Sequence, residues 1–137
     1  GDQEAARRAF ELCGEVAGDA FASAVTLTDS LIVIGGGLTG AAKYIKPALL
    51  KELRSAISTK GGEAVQRVQM RVFDLDDELE FAKFVVGDAR PLKVYGTNDT
   101  VMYDPMKRTG IILSKLGASK AIAIGAYVFA LKNLDAE

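Results

Sequence analysis

The run Ser30-Leu31-Ile32-Val33-Ile34-Gly35-Gly36-Gly37-Leu38-Thr39-Gly40-Ala41-Ala42 constrains the fold more than any other stretch, because an apolar strand feeds straight into a glycine-rich turn and then a helix. Glycine removes the Cβ that would hold a ligand away and permits φ > 0, and a following helix offers unpaired N–H groups and the positive end of its dipole. Such a junction brings bare backbone up to a nucleotide. The strand, Leu31 to Ile34, is apolar without a break, which predicts burial on both faces in a parallel sheet.

The flanking segments extend this into an α/β pattern. Ala6, Ala9, Phe10, Cys13, Val16, Ala17, Ala20, Phe21, Ala24 and Val25 recur at spacings of three and four, which predicts a long helix from about Asp2 to Thr26, capped by Asp2. After the glycines, Thr39 to Ile45 reads as a short helical turn. Pro47 suits a first helical position, so the main helix is expected to open there, run to about Ser58 and stop at Lys60-Gly61-Gly62. Arg67 to Phe73 alternates and reads as the next strand, parallel to the first through a right-handed crossover. A short helix with an acidic start follows over Asp74 to Val86. Pro91 to Tyr95 and Thr100 to Tyr103 flank Gly96-Thr97-Asn98-Asp99 as a hairpin. Ser119 is expected to cap a last helix ending at Leu134; it is apolar nearly all round and therefore buried or at an interface.

Composition removes whole classes of chemistry. The 137 residues, 49% hydrophobic and 26% charged, suit one globular domain over 1–137. With 17 Lys+Arg against 18 Asp+Glu, the formal net charge of -1 gives no broad basic field, so neither nucleic acid nor an anionic membrane is an expected partner. No apolar run approaches the ~20 residues of a membrane span and no secretory leader is evident, which leaves the cytoplasm as the expected compartment. The chain has no His and one Cys, Cys13, so Ser/His and Cys/His triads and zinc sites lack their residues. Cys13 falls on the apolar stripe of the first helix and reads as a small buried hydrophobe.

Gly35-Gly36-Gly37-Leu38-Thr39-Gly40 satisfies G-x-G-x-x-G, yet the Rossmann fingerprint also wants an acidic residue ~20 positions on, at the end of the next strand. Here that neighbourhood is Ser58-Thr59-Lys60-Gly61, and the next strand ends only at Asp74. A long helix precedes the unit as well. The P-loop pattern fails because no Gly-Lys-Ser/Thr follows.

A long helix, a strand ending in Ile34-Gly35-Gly36-Gly37, a further helix and strand, and a last helix carrying Ile124-Gly125-Ala126-Tyr127 together resemble the C-terminal part of a sugar kinase of the ROK/glucokinase type, in the superfamily of actin-like and hexokinase-like ATPases. The segment Tyr103-Asp104-Pro105-Met106-Lys107-Arg108-Thr109-Gly110 before the last helix is similar to that of bacterial glucokinase-like members. The resemblance implies part of an actin-like, ribonuclease H-like C-terminal lobe, with parallel strands, packed helices and a small β insertion at about 74–117. It also implies an adenosine site in which Gly35, Gly36, Gly37 and Leu38 lie against the nucleotide, with Tyr44 one turn beyond. The cofactor implied is ATP with Mg²⁺, without zinc, and the acceptor is a hexose. The family's Asp-Gly-Gly-Thr phosphate loop and its catalytic Asp in an Asn-Asp pair are not recognisable here, so the chain reads as a fragment that does not turn over by itself. The rival readings are a non-catalytic assembly or regulatory module of the same fold and, third, a Rossmann dinucleotide-binding protein.

The remaining clusters have plain readings. Asp74-Leu75-Asp76-Asp77-Glu78-Leu79-Glu80 lacks the spacing of a calcium loop and suits a helix N-terminus. Lys107-Arg108-Thr109-Gly110 reads as an exposed basic turn and not as a phosphate nest. The apolar last helix makes a homodimer an expectation.

Overall fold

A computed structural model describes residues 3–134. Helix α1 (Gln3–Thr28) leads to strand β1 (Ile32–Ile34), and a 3-10 turn (Gly37–Ala41) leads into helix α2 (Ala42–Leu53). A hairpin of β2 (Ala56–Ser58) and β3 (Ala64–Gln66) precedes β4 (Arg71–Asp74) and α3 (Glu78–Val86). A second hairpin, β5 (Arg90–Lys93) and β6 (Thr100–Tyr103), precedes β7 (Arg108–Leu113) and α4 (Ala118–Leu134). The expected cap Asp2 lies outside the described residues.

The main sheet has the order β1-β7-β4, and both pairings are parallel, with Ile32 opposite Ile111 and Val72 opposite Thr109. The first two strands of this sheet are therefore parallel, as the sequence suggests, but they are not neighbours. β7 lies between them. Ile111 is fully buried, and the buried Thr109 hydroxyl donates to the Ser30 carbonyl at 2.7 Å, which ties β7 to the residue leading into β1. The expectation of an exposed basic turn at Lys107 to Gly110 is thus corrected, since Arg108, Thr109 and Gly110 belong to the central strand.

Helices α1 and α2 cover one face, where Ala22, Val25, Leu49, Leu50 and Leu53 meet Ile32, Val72 and Ile111. On the other face Phe73 is buried against Phe84 of α3, with ring centroids 5.7 Å apart. β1 is covered on one face only, because Val33 stays exposed, and the expected two-sided burial fails at this edge strand.

The α1 face that packs is also not the one the apolar count selects. Gly14, Gly18, Ala22 and Val25 are its buried residues, whereas Cys13 is exposed. A Cβ on Gly18 would stand 2.6 Å from Glu52 Cβ, so the two helices meet at a separation only glycine allows.

Other boundaries move for local reasons. Pro47 sits inside α2, not at its start; it is exposed, and its ring imposes a φ that a helix already uses. The helix ends at Leu53, and Ala56 to Ser58 pair as a strand, the hairpin turning through Gly62 at φ 84°. Residues 67–70 bend before β4, held by the Arg67 N–H to the Ser55 carbonyl at 2.9 Å and by Arg67 pairing with Asp19 and Glu52. Gly117 at φ 73° turns the chain into α4, which starts at Ala118 and leaves Ser119 inside the first turn. Every described residue of α4 is exposed, Ile122 and Phe129 to about 70%, so of the two readings its pattern allows, burial within this chain is not met.

Candidate functional site

Parallel strands gather their carboxyl ends at one edge, and ligands of such sheets bind in the crevice outside that edge. Here the edge consists of Ile34-Gly35-Gly36-Gly37 after β1, Ser114 after β7 and Asp74-Leu75-Asp76 around the end of β4. The Ser114 N–H donates to the Ile34 carbonyl at 2.8 Å, and the Cβ direction of Gly35 meets Ser114 Cβ at 3.5 Å.

Gly36 has φ 87° and ψ -164°, a region essentially closed to residues with a side chain. Its carbonyl accepts the Thr39 N–H at 3.2 Å and the Thr39 hydroxyl at 2.9 Å, so the turn is held from inside by the sequence that follows it. A Cβ on Gly36 or Gly37 would meet nothing within 4 Å. Packing within the chain therefore does not require glycine at 37. Both positions face open space that a flat ligand can approach, and Leu38 beside them is about half exposed.

The five-residue 3-10 turn, which contains Gly37 and Gly40, separates Gly35 and Gly36 from α2, so that helix does not begin directly on Gly36. Tyr44, in the first turn of α2, stacks on Phe10 of α1 with centroids 6.3 Å apart and lies under the Lys43 ammonium at 4.9 Å. Its ring is engaged in holding α1 to α2.

A cluster at the same edge escapes sequence reasoning. Lys46 Nζ donates to Asp74 Oδ1 at 2.7 Å and to Asp76 Oδ2 at 3.0 Å, bridging segments 28 and 30 residues apart. Asp76 Oδ2 also accepts the Leu113 N–H at 3.0 Å, and Asp74 Oδ1 accepts the Asp76 N–H at 3.0 Å. Burial alone pushes the Lys46 ammonium down, but hydrogen bonds to Asp74 and Asp76 and their charges outweigh it and leave the ammonium held above its ordinary value. Of the acidic run, only its second half serves the helix. Asp77 caps α3 by accepting the Glu80 N–H at 2.9 Å, while Glu80 accepts the Asp74 N–H at 2.7 Å and pairs with Arg54. Among the described residues no group of three His, Cys, Asp or Glu is gathered to hold a metal ion.

A groove of about 600 Å³ lies at the opposite, amino-terminal end of the sheet, between Leu53, Arg54, Gln69, Arg71, Met106 and Lys107. Its Arg54 guanidinium is already engaged by the Val72 carbonyl and Glu80. The glycine edge remains the stronger site because strand direction, backbone conformation and open space coincide there.

The Tyr103 to Gly110 segment has a structural task. Asp104 accepts the Met106 N–H at 2.9 Å and the Asp88 N–H at 3.3 Å and pairs with Arg108, whose guanidinium lies over the Phe84 ring at 5.5 Å. The Met106 N–H, foremost, and the Arg108 guanidinium hold the Asp104 carboxyl below its ordinary range against the opposing effect of burial.

No protein-family model and no curated protein gives a match. Among solved structures, the chain is similar to a crystal structure of glucokinase from Parabacteroides distasonis ATCC 8503, with 55% identity, a TM-score of 0.79 and 96% of this chain covered. It spans 35% of that protein's chain. The class is thus mixed α/β, a parallel sheet with packed helices that matches about a third of a longer glucokinase fold. Within that class, 96% of the chain is similar to a stretch of that glucokinase. No described helix is long and apolar enough to cross a membrane.

Proposed function

We propose that the chain is the nucleotide-side part of an ATP-dependent sugar kinase of the ROK/glucokinase type, with Gly35-Gly36-Gly37-Leu38 as the wall against the adenosine. The observation that carries this reading is the Gly36 turn. It holds a glycine-only conformation at the carboxyl edge of a parallel sheet, with open space over Gly36 and Gly37, in a chain 55% identical to a glucokinase. Bare backbone there admits the flat face of a base, and Leu38 offers apolar contact beside it. Tyr44, committed to Phe10, braces the helix behind this wall.

ATP, accompanied by Mg²⁺, supplies the phosphoryl group, and a hexose hydroxyl receives it. Turnover is assigned to a protein that also carries the family's phosphate loop and Asn-Asp pair, because transfer needs phosphates, metal and acceptor base on one scaffold. The test is titration of the chain with ATP and, separately, NAD(H), followed through the backbone amide resonances of Gly35 to Gly37. Saturable shifts with ATP alone, weakened at least tenfold in Gly36→Val, are expected. Equal response to NAD(H), or ATP binding untouched by Gly36→Val, would overturn the assignment.

A further inference from the structure

We infer that Lys46 is a positioning residue of the nucleotide wall, which fixes the glycine turn against the ends of β4 and β7 through Asp74 and Asp76. The inference rests on the reading of Gly35 to Leu38 as that wall. From Gly35 the chain runs through the 3-10 turn into α2 and reaches Lys46. Lys46 Nζ donates to Asp76 Oδ2 at 3.0 Å, which accepts the Leu113 N–H at 3.0 Å. The next residue, Ser114, donates to the Ile34 carbonyl at 2.8 Å, one residue before Gly35. A closed ring of covalent and hydrogen bonds therefore surrounds the base of the turn, and Lys46 is the link that joins α2 to it.

Exposed ion pairs hold little, but these side chains are only 15% (Lys46), 17% (Asp74) and 22% (Asp76) exposed. Taking away the cation leaves two carboxylates facing one another, partly desolvated and sharing no counter-charge. Their repulsion acts on Asp76, and through Asp76 on the Leu113 amide beside Ser114. Lys46 need not touch the nucleotide to act, since displacement of a binding surface by about 1 Å is enough to cost a large factor in function.

The experiment compares the chain with Lys46→Met, Lys46→Arg, Thr109→Val and Gly36→Val, using ATP as the probe and the Gly35 to Gly37 and Leu113 amide resonances as the readout. Lys46→Met keeps the aliphatic stem and removes the charge, and is expected to raise the ATP Kd about tenfold and to move the Leu113 amide before any ATP is added. Lys46→Arg, which can still pair with both carboxylates, is expected to stay within about twofold of the parent. Thr109→Val removes a part-buried bond near the other end of β7 and serves as the stability control, with an unchanged Kd expected. ATP binding that is lost in Gly36→Val but intact in Lys46→Met would overturn the positioning role and leave the proposed function standing. Equal weakening in Lys46→Met and Thr109→Val would reduce Lys46 to a merely structural residue and overturn the inference as well. Absence of ATP binding in the parent would overturn the function and the inference with it.

Discussion

Gly18→Ala should destabilise the fold even though alanine is the better helix former. In an exposed helix the change gains up to about 1 kcal/mol. On α1, however, the added methyl would lie 2.6 Å from Glu52 Cβ and 3.1 Å from the Leu49 carbonyl oxygen, where carbon atoms ordinarily settle at about 3.5–4.0 Å. The shortfall is about 1 Å, and neither neighbour can swing away, because both are fixed by the α2 backbone. Relief requires α1 to retreat from α2, which opens the contact around Ala22, Val25, Leu49 and Leu53 and strains the Glu52 to Arg67 pair. Overpacking of this kind costs about 1–3 kcal/mol, so a net loss of about 1–2 kcal/mol remains after the propensity gain. Gly14→Ala, whose methyl would press on the Ile45 carbonyl oxygen, should fall in the same direction. Gly125→Ala on α4 meets nothing within 4 Å and should gain helicity without loss. Urea unfolding followed by circular dichroism, with an unchanged slope, reads the differences directly. If Gly18→Ala matched or exceeded the parent in stability, close glycine packing of α1 on α2 would be refuted.

Thr109→Val should lower unfolding free energy by about 0.5–1.5 kcal/mol, because the part-buried hydrogen bond from the Thr109 hydroxyl to the Ser30 carbonyl is lost; calorimetry of the purified variant checks it. Gly87→Ala forces a side chain into φ 63° and against Asp104 and Arg108, and should cost about 1–3 kcal/mol in urea unfolding, with the Phe84 ring resonances moving as Arg108 is displaced. The Asp104 carboxyl, held below its ordinary 3.8, contributes stability that is present above that value and lost as pH falls through the folded one. Asp104→Asn should therefore flatten the stability profile below about pH 4, with no change of slope near neutrality. Phe129→Glu should leave the unfolding midpoint unchanged within about 0.5 kcal/mol, since that ring is 68% exposed.

Short-range signals in this chain were legible because their causes are local. The glycine turn, the β5–β6 hairpin and the acidic start of α3 each follow from backbone conformation or capping over a few residues, as Gly36, Gly96 and Asp77 show. The central strand β7 was not legible, because Arg108-Thr109-Gly110 carries the composition of a turn and is made a strand by its two neighbours. Gly110 is useful there for what it lacks, since Leu75 occupies the space a Cβ would need. Lys46 was hidden for a related reason. A lysine in a helix reads as a solvated face, and only the parallel register of β4 and β7 brings Asp74 and Asp76 under it. Likewise the apolar count on α1 selects Cys13 and Val16, whereas the packed stripe is Gly14 and Gly18, residues that contribute by their absence of bulk.

Helix α4 separates two kinds of information that a hydrophobic pattern carries. Between Ala118 and Leu134 its only charges are Lys120 and Lys132, and Ile122 and Phe129 lie on one side while Tyr127, Leu131 and Leu134 lie on the other. A pattern apolar around the whole circumference specifies an enclosing environment, whereas a one-sided stripe would specify a single partner surface. The described residues give α4 no such enclosure. A chain that spans 35% of the glucokinase it resembles therefore carries, in this helix, a pattern that its own core does not use, while the glycine turn and the Lys46 ring are complete in themselves. The proposed nucleotide wall can accordingly be tested on this chain by itself, because the ring of bonds around the base of the turn closes within the described residues.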